Sequence, residues 1–179
     1  MSINGISTGY YQAGYTNNKT TKATTGTSFS NQINNIVGKG QTVYLKTDDM
    51  LYSGGNGTGL SFYLQYAENS TQDDPTVIAK GIDENGEKFE QTIHINKINP
   101  KYATYVEMHA LEAHLGVEKR FGYSSLPLGG TGEMGLDDRA DFMDLFEKAI
   151  SDFTKLNEHR AAAYYRYSMQ AYWNFMNKK

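Results

Sequence analysis

The stretch of sequence that decides the fold is the last 43 residues, Asp137–Lys179, which read DDRADFMDLFEKAISDFTKLNEHRAAAYYRYSMQAYWNFMNKK. It contains no glycine and no proline, whereas all 18 glycines and all 3 prolines of the chain lie at or before Gly135. Since both residue types disfavour helix interiors, a stretch of this length without them predicts helix. Apolar side chains from Phe142 to Phe175 follow one line at helical spacing, which is typical of an amphipathic helix.

The sequence allows two alternative structures for this C-terminal stretch. Acidic residues predominate over 137–152 and basic residues over 153–179, which matches the macrodipole of one continuous helix. The alternative is a helical hairpin that breaks between Lys155 and Arg160, where polar residues cluster and Arg160 interrupts the apolar line. The charge pattern favours one long or slightly kinked helix over about 138–176.

A second apolar stripe lies near the end of the same stretch, on a different side of the predicted helix. Its members are large and recur at helical spacing: Tyr165, Met169, Tyr172 and Met176, with Trp173 beside them. A helix that is apolar on two sides is either buried between layers or meets a partner, and Tyr, Trp and Met are enriched in interface cores. We therefore predict partner binding or self-association at these residues. If the stretch folds back instead, both apolar stripes can be buried within one chain.

Ahead of this stretch, over residues 41–98, the hydrophobic period changes to two, which is typical of antiparallel strands. Thr42–Lys46 and Met50–Tyr52 predict two short strands, and the alternation in Leu60–Tyr66 predicts a half-buried one. Ser53–Gly59 is rich in glycine and is interpreted as a flexible loop. It lacks both the Lys-Ser/Thr pair and the following helix that a phosphate-binding loop needs.

A β-hairpin over 76–98 is predicted by its turn, Asn85-Gly86, the preferred pair for a two-residue type I′ turn. That turn sets the register with Ile82 opposite Phe89. The face predicted to be buried then carries five large apolar side chains: Ile78, Ile82, Phe89, Ile93 and Ile95.

A capped helix follows the hairpin. Thr104 and Glu107 have the spacing of a capping box, and Gly116 is a typical helix stop. With the other elements, this helix predicts an α+β fold in three parts. These are a small antiparallel β-sheet at about 41–98, a capped helix at 105–115 and the C-terminal helix at 138–176.

The N-terminal region has a different composition. Residues 1–28 consist mainly of Thr, Asn, Ser, Gly and Tyr, and such a segment buries too little apolar surface to offset its ordering entropy. We predict a disordered polar tail at 1–28 and a single domain at 29–179. Phe29–Val37 is interpreted as a short amphipathic helix, or as a nascent helix that is ordered only when it docks.

Charge and targeting signals limit the class of protein. The net charge is −3, which gives no electrostatic footprint for nucleic acid. No apolar run approaches the length of a membrane span, and residues at the N-terminus do not show the basic region and apolar region expected of a secretory signal. We expect a protein without nucleic-acid partners that is cytoplasmic, or exported by a route that needs no signal peptide. The absence of cysteine excludes disulfides and thiolate metal sites.

A glycine motif and a pair of histidines resemble chemical sites, but neither has the arrangement that such a site requires. Gly130–Gly135 spells GTGEMG, but no second strand follows it as a dinucleotide site requires. His109 and His114 are five residues apart and point about 140° away from each other on a helix, so they cannot share one ion. We interpret all four histidines as surface residues: His94, His109, His114 and His159. The sequence predicts no catalytic residue, no cofactor and no metal.

Three segments of the chain resemble a known pattern. Gly81–Glu87, Ile98–Pro100 and Ala103–Leu111 are similar to a recurring block in short uncharacterised proteins of Gram-positive anaerobic bacteria, whose openings resemble Met1–Ile6. That resemblance implies a bacterial protein and carries no activity. The composition of the tail is similar to that of export tails in flagellar rod and hook proteins.

Two classes of function are therefore open. The favoured one is a non-enzymatic protein–protein interaction or structural accessory domain, because the second stripe of the last helix is the feature best suited to binding. The alternative is a hydrolase whose site is assembled from dispersed residues.

Overall fold

The computed structural model describes residues 42–117 and 124–178, all within one compact unit, Ile33–Lys179. The predicted tail at 1–28 and the predicted helix at Phe29–Val37 lie outside the described residues. The described part combines an antiparallel sheet with helices, so the predicted α+β class is confirmed.

Four antiparallel strands form a meander in which each strand pairs with the next. Their bounds are β1, Tyr52–Gly55; β2, Ser61–Tyr66; β3, Thr76–Ile82; and β4, Lys88–His94. The strand predicted from Leu60 to Tyr66 is confirmed, and Leu60, Phe62 and Leu64 are fully buried on one face. That face packs against helix α1, Tyr105–Leu115, where the ring of Phe62 meets the ring of Tyr105 edge-on at 6.0 Å.

Two predictions at the start of the sheet are wrong. Thr42–Lys46 forms no strand; its backbone carbonyls instead accept side-chain hydrogen bonds, Thr42 from Ser61 and Tyr44 from Ser53. The second wrong prediction concerns the flexible loop at Ser53–Gly59, because its first three residues, Ser53, Gly54 and Gly55, belong to strand β1. Gly54 suits this strand because the ring of Tyr52 lies over it, and a Cβ at Gly54 would come within 2.8 Å of that ring.

The predicted hairpin register is wrong by one residue. Gly86 donates to the carbonyl of Asp83 at 3.1 Å, and Asp83 donates to the carbonyl of Glu87 at 2.9 Å. Within this turn, Gly86 alone has a positive φ, 86°, whereas a type I′ turn needs two such residues. The connection is therefore a three-residue loop built on a type I turn. The Asp83 carboxylate favours this turn by accepting from the backbone of Asn85 and Glu87 at 2.9 and 2.8 Å.

The shifted register exchanges the two faces of β3. Val77 lies opposite Ile93, and Ile82 lies opposite Lys88. Val77 and Ala79 are therefore the fully buried residues of β3, whereas Ile78 and Ile82, predicted to be buried, are only half-buried on the other face. A slip of one residue has this effect because side chains alternate along a strand.

Helix α1, Tyr105–Leu115, begins and ends as predicted. The Thr104 hydroxyl accepts from the backbone of Glu107, and the Glu107 carboxylate accepts from the backbone of Thr104, so the capping box is confirmed. Gly116 ends the helix in the left-handed conformation with φ 63°. Met108 and Leu111, three residues apart on one face of the helix, are fully buried.

The prediction of a continuous C-terminal helix is also wrong, because the described structure has the helical hairpin. α3 spans Phe142–Lys155 and α4 spans His159–Asn177. Asn157 sits between them with φ 61° and donates to the carbonyl of Thr154 at 3.1 Å, while Glu158 donates to that of Phe153 at 2.8 Å. These bonds form a Schellman motif, in which asparagine can replace the usual glycine. The apolar faces of α3 and α4 then pack against each other.

A small second sheet connects the helices. β5, Ala103–Thr104, pairs with β6, Arg139–Ala140, and this pairing brings the start of α1 beside the start of α3. A one-turn helix, α2, covers Leu128–Thr131. Among the helices of the described residues, none combines the length and the apolar character that a membrane span requires.

Candidate functional site

A buried polar pair lies on the face of α1 that packs against the sheet. His109 and Glu112 are three residues apart, and Nδ1 of the imidazole is 2.8 Å from Oε2 of the carboxylate. Their side chains are 4% and 3% exposed. The prediction that every histidine lies on the surface is therefore wrong for His109. Its helical position points at β1 and β2, so packing between elements overrides the usual preference of the side chain.

Aromatic rings surround the imidazole of His109. Tyr52 stacks on it with 4.2 Å between ring centroids, and Tyr105 meets it nearly at right angles at 4.5 Å. The Tyr52 hydroxyl lies 3.4 Å from Nε2 of His109. The carboxylate of Glu112, the imidazole of His109 and the phenol of Tyr52 thus form a line that runs from α1 to β1. We call Tyr52, Tyr105, His109 and Glu112 the His109 cluster.

The phenols of this cluster are held in their protonated form. Burial, helped by the nearby Tyr105 and Glu112, raises the pKa of Tyr52 far above its usual range. Burial also raises the pKa of Tyr105. A phenolate nucleophile at Tyr52 is disfavoured for this reason, and the phenols serve as hydrogen-bond donors. Tyr105 accordingly donates to the carbonyl of Gly55 at 3.4 Å.

A cleft opens beside the cluster. Its volume is about 340 Å³. The residues that line it come from the 42–46 segment, β1 and the C-terminal end of α1: Lys46, Leu51, Tyr52, Ser53, Glu112, Ala113, Gly116 and Val117. Tyr52 and Glu112 border the cleft, whereas His109 does not. The residue that would act as a general base is therefore screened from anything that enters the cleft.

The predicted partner-binding residues of the last helix divide into two groups. Tyr165 and Tyr172 are buried in the core of the chain itself, where the ring of Phe146 lies 6.0 and 5.4 Å from them. Met169 and Met176 are half-buried, and Trp173 is 40% exposed. The hairpin therefore turns most of the second stripe toward the core of the chain and leaves Trp173 as its exposed member.

Trp173 belongs to a surface group that the sequence analysis missed. The Lys101 ammonium lies 5.3 Å from the centre of the Trp173 ring, and the Arg139 guanidinium lies 5.3 Å from that of Tyr102. Both are cation–π distances. Tyr102 is 64% exposed. We call Lys101, Tyr102, Arg139 and Trp173 the Trp173 surface. Lys101 and Tyr102 are consecutive, but Arg139 and Trp173 are distant from them in sequence, so no local pattern relates the four residues.

The two cations of the Trp173 surface differ in their partners. Arg139 makes a bidentate ion pair with Glu107, with N–O distances of 2.9 and 3.1 Å. Lys101 makes no ion pair with any residue that the structure describes. Arg139 is thus fixed in place under Tyr102, while the charge of Lys101 is uncompensated beside the indole.

The other histidines lie nearer the surface. Nδ1 of His114 is 3.0 Å from the Tyr66 hydroxyl, and that of His94 is 3.5 Å from an Asp74 carboxylate oxygen. His159 is exposed. Within 42–117 and 124–178, no three His, Cys, Asp or Glu side chains are grouped as a metal site requires.

Comparisons with known proteins give no further guidance to the site. No protein-family model, no curated protein and no solved structure matches the chain.

Proposed function

We propose that this chain is a non-enzymatic protein-binding module that contacts its partner through the Trp173 surface. The observation that carries the proposal is a pair of large aromatic side chains, Tyr102 and Trp173, left exposed and each stacked by a cation. Trp, Tyr and Arg are the residues most enriched among those that dominate the energy of protein interfaces. A ring that is already held by a neighbouring cation also loses little side-chain entropy on binding.

The burial of the His109 cluster supports the same proposal. His109 and Glu112 are almost completely enclosed, and the nearby phenols stay protonated. A hydrogen-bonded polar group of this kind positions α1 on the sheet and fixes one packing arrangement. The Trp173 surface therefore offers recognition groups, while the imidazole of His109 is closed off from the cleft.

Photocrosslinking tests the proposal. Benzoylphenylalanine is placed at position 102 of the full chain, and the protein is irradiated in the cells that naturally express it. We expect a discrete crosslinked protein that disappears when Trp173→Ala is added. The matched control carries the same label at position 66, where Tyr66 is also exposed (47%) but lies at the end of β2. Absence of any product at position 102, or equal products at both positions, would contradict protein binding through this surface.

A hydrolase is the second candidate function. The observation that favours it is the Glu112–His109–Tyr52 line, which brings dispersed residues together beside a cleft. An enzyme of this kind requires a rearrangement that exposes His109. Chromogenic ester, phosphoester and glycoside substrates test it, with Tyr52→Phe as the variant that removes only the hydroxyl. Turnover by the wild type that is lost in Tyr52→Phe would favour the hydrolase over the binding module.

A further inference from the structure

We propose that the Trp173 surface, together with Arg166 of α4, binds an acidic segment of the partner protein in which carboxylates alternate with large apolar side chains. This inference rests on the proposed function, since it assigns a chemistry to the partner of the same surface. Three features of the chain support it.

The first feature is the distribution of charge. All 20 acidic residues of the chain lie within 41–158, where they face 10 basic residues. From His159 onward there is no Asp or Glu, and the segment carries four basic residues: Arg160, Arg166, Lys178 and Lys179. α4 is thus an acid-free helix attached to an acidic body. A partner that docks on this helix gains from carrying carboxylates.

The second feature is the geometry of the exposed face of α4. Arg166, Gln170 and Trp173 follow each other at i, i+4 and i+7, so they lie on one side of the helix, and all three are exposed. Lys101 reaches over Trp173 from the start of the β5 segment. An indole therefore lies between two cations, with the amide of Gln170 on the same line.

The third feature is that neither cation, Lys101 nor Arg166, is held in an ion pair within the part of the chain that the structure describes. A carboxylate that approaches either of them gains a favourable contact without breaking an existing one. A neighbouring apolar side chain of the partner would lie against the Trp173 ring, where the cation–π contact already orients the indole.

Nucleic acid and membrane lipid fit this surface less well. A polyanion that extends beyond α4 would meet the acidic body of the chain and be repelled. A helix that lies on a membrane inserts its apolar face, whereas α4 directs its apolar face, with Tyr165 and Tyr172, into the core. A short acidic protein segment needs contact only with the acid-free face.

The fluorescence of Trp173 tests the inference, because it is the only tryptophan in the chain. The full chain is titrated with a short synthetic peptide of Glu, Asp, Leu and Phe, and with a control peptide that has Gln and Asn in place of the acids. We expect a saturable change in Trp173 emission with the acidic peptide only, which weakens as salt is added. Lys101→Gln and Arg166→Gln should each weaken binding about two- to fivefold, as a surface ion pair predicts.

Lys148→Gln is the matched control, because Lys148 is an exposed lysine of α3 that makes no ion pair in the described part of the chain. It makes the same change of charge and should leave binding within experimental error. Equal binding of the two peptides, or an equal effect of all three substitutions, would overturn the inference. A larger emission change with a single-stranded oligonucleotide or with phosphatidylserine vesicles would overturn it as well.

Self-association is a further outcome that would overturn the inference. A molar mass in light scattering that rises with concentration and returns to the monomer in Trp173→Ala would identify a second copy as the occupant. The crosslinking experiment keeps the two proposals separable. A crosslinked partner together with failure of the acidic peptide would reject the acidic segment and leave the protein-binding module in place, whereas absence of a crosslink would reject the module itself.

Discussion

At the scale of single residues, the His109–Glu112 pair is a buried polar contact on the face of α1 that packs against the sheet. Both side chains are enclosed by the sheet and by aromatic rings. Removing one member of a buried pair leaves the other without its partner, and this costs more than removing both. Stability measurements on single and double substitutions therefore show whether the His109–Glu112 pair stabilises the fold or can be replaced without loss.

We expect Glu112→Ala to lower the free energy of unfolding by about 3 kcal/mol, because the imidazole loses its buried partner. The double substitution His109→Leu/Glu112→Leu should cost less than this single change. Lys155→Gln, which removes an exposed pair with Asp152 at 3.4 Å, is the control and should cost under about 0.5 kcal/mol. Urea unfolding measures all three. A double substitution that costs more than Glu112→Ala would contradict the pairing argument.

The buried phenols predict how stability depends on pH. Burial raises the pKa of Tyr52, Tyr105 and Tyr172 in the folded chain. Because the folded pKa lies above the unfolded value of about 10, the stabilisation is complete below about pH 10 and is lost progressively as the pH rises from there through the folded pKa. We expect the free energy of unfolding to fall steeply above about pH 10. Tyr52→Phe should make this fall shallower, whereas Tyr102→Phe, which removes an exposed phenol, should leave it unchanged.

At the scale of elements, the β3–β4 turn decides which face of β3 is buried. The turn depends on Gly86, whose φ of 86° is unfavourable for any side chain with a Cβ, and on the Asp83 carboxylate. Asn85 has no positive φ here, although a type I′ turn would require one. Two substitutions at adjacent positions therefore discriminate between the two turns.

We expect Gly86→Ala to lower the free energy of unfolding by about 1 kcal/mol, because alanine is strained at positive φ. Asn85→Ala should change it by less than about 0.5 kcal/mol, since that position has an ordinary backbone conformation. Thermal unfolding of the two variants provides the comparison. Equal losses at both positions would indicate a type I′ turn and the alternative register.

The α3–α4 hairpin shows how one residue redirects a long helical segment. Apolar residues before and after 155–160 follow the same helical line, although Arg160 interrupts it, and the charges also suit a single helix. Asn157 nevertheless adopts the left-handed conformation, and two hydrogen bonds close the end of α3 around it. The gain that favours this turn comes from packing the aromatic faces of the two helices together, with Phe153 stacked on Tyr165 at 5.6 Å.

At the scale of the whole molecule, the hairpin separates the last helix into a core side and a solvent side. We expect Tyr172→Glu to cost at least about 3 kcal/mol, because it buries an ionisable group that has no room to reach water. Trp173→Glu should cost less than about 1 kcal/mol, since that side chain lies at the surface. Denaturant unfolding of both variants measures the difference. Similar costs for the adjacent substitutions would contradict the division of the stripe.

Sequence alone determined the features whose causes lie within a few residues of each other. The Thr104–Glu107 capping box, the Gly116 stop and the alternation at 60–66 depend on contacts along one short segment, so their patterns are visible in the sequence. These segments, with the helical C-terminal stretch, were sufficient to predict the α+β class.

Tertiary structure alone decided the features that depend on contacts between distant residues. His109 is buried because β1 covers its face of α1, and Lys101 meets Trp173 because α4 folds back over α3. Two further features were each selected from two acceptable conformations. The hydrogen bonds of the Asp83 side chain selected the turn that sets the hairpin register, and packing of α3 against α4 selected the break at Asn157. Local preferences of about 1 kcal/mol per residue are too weak to predict such choices, because burial of apolar surface between elements outweighs them.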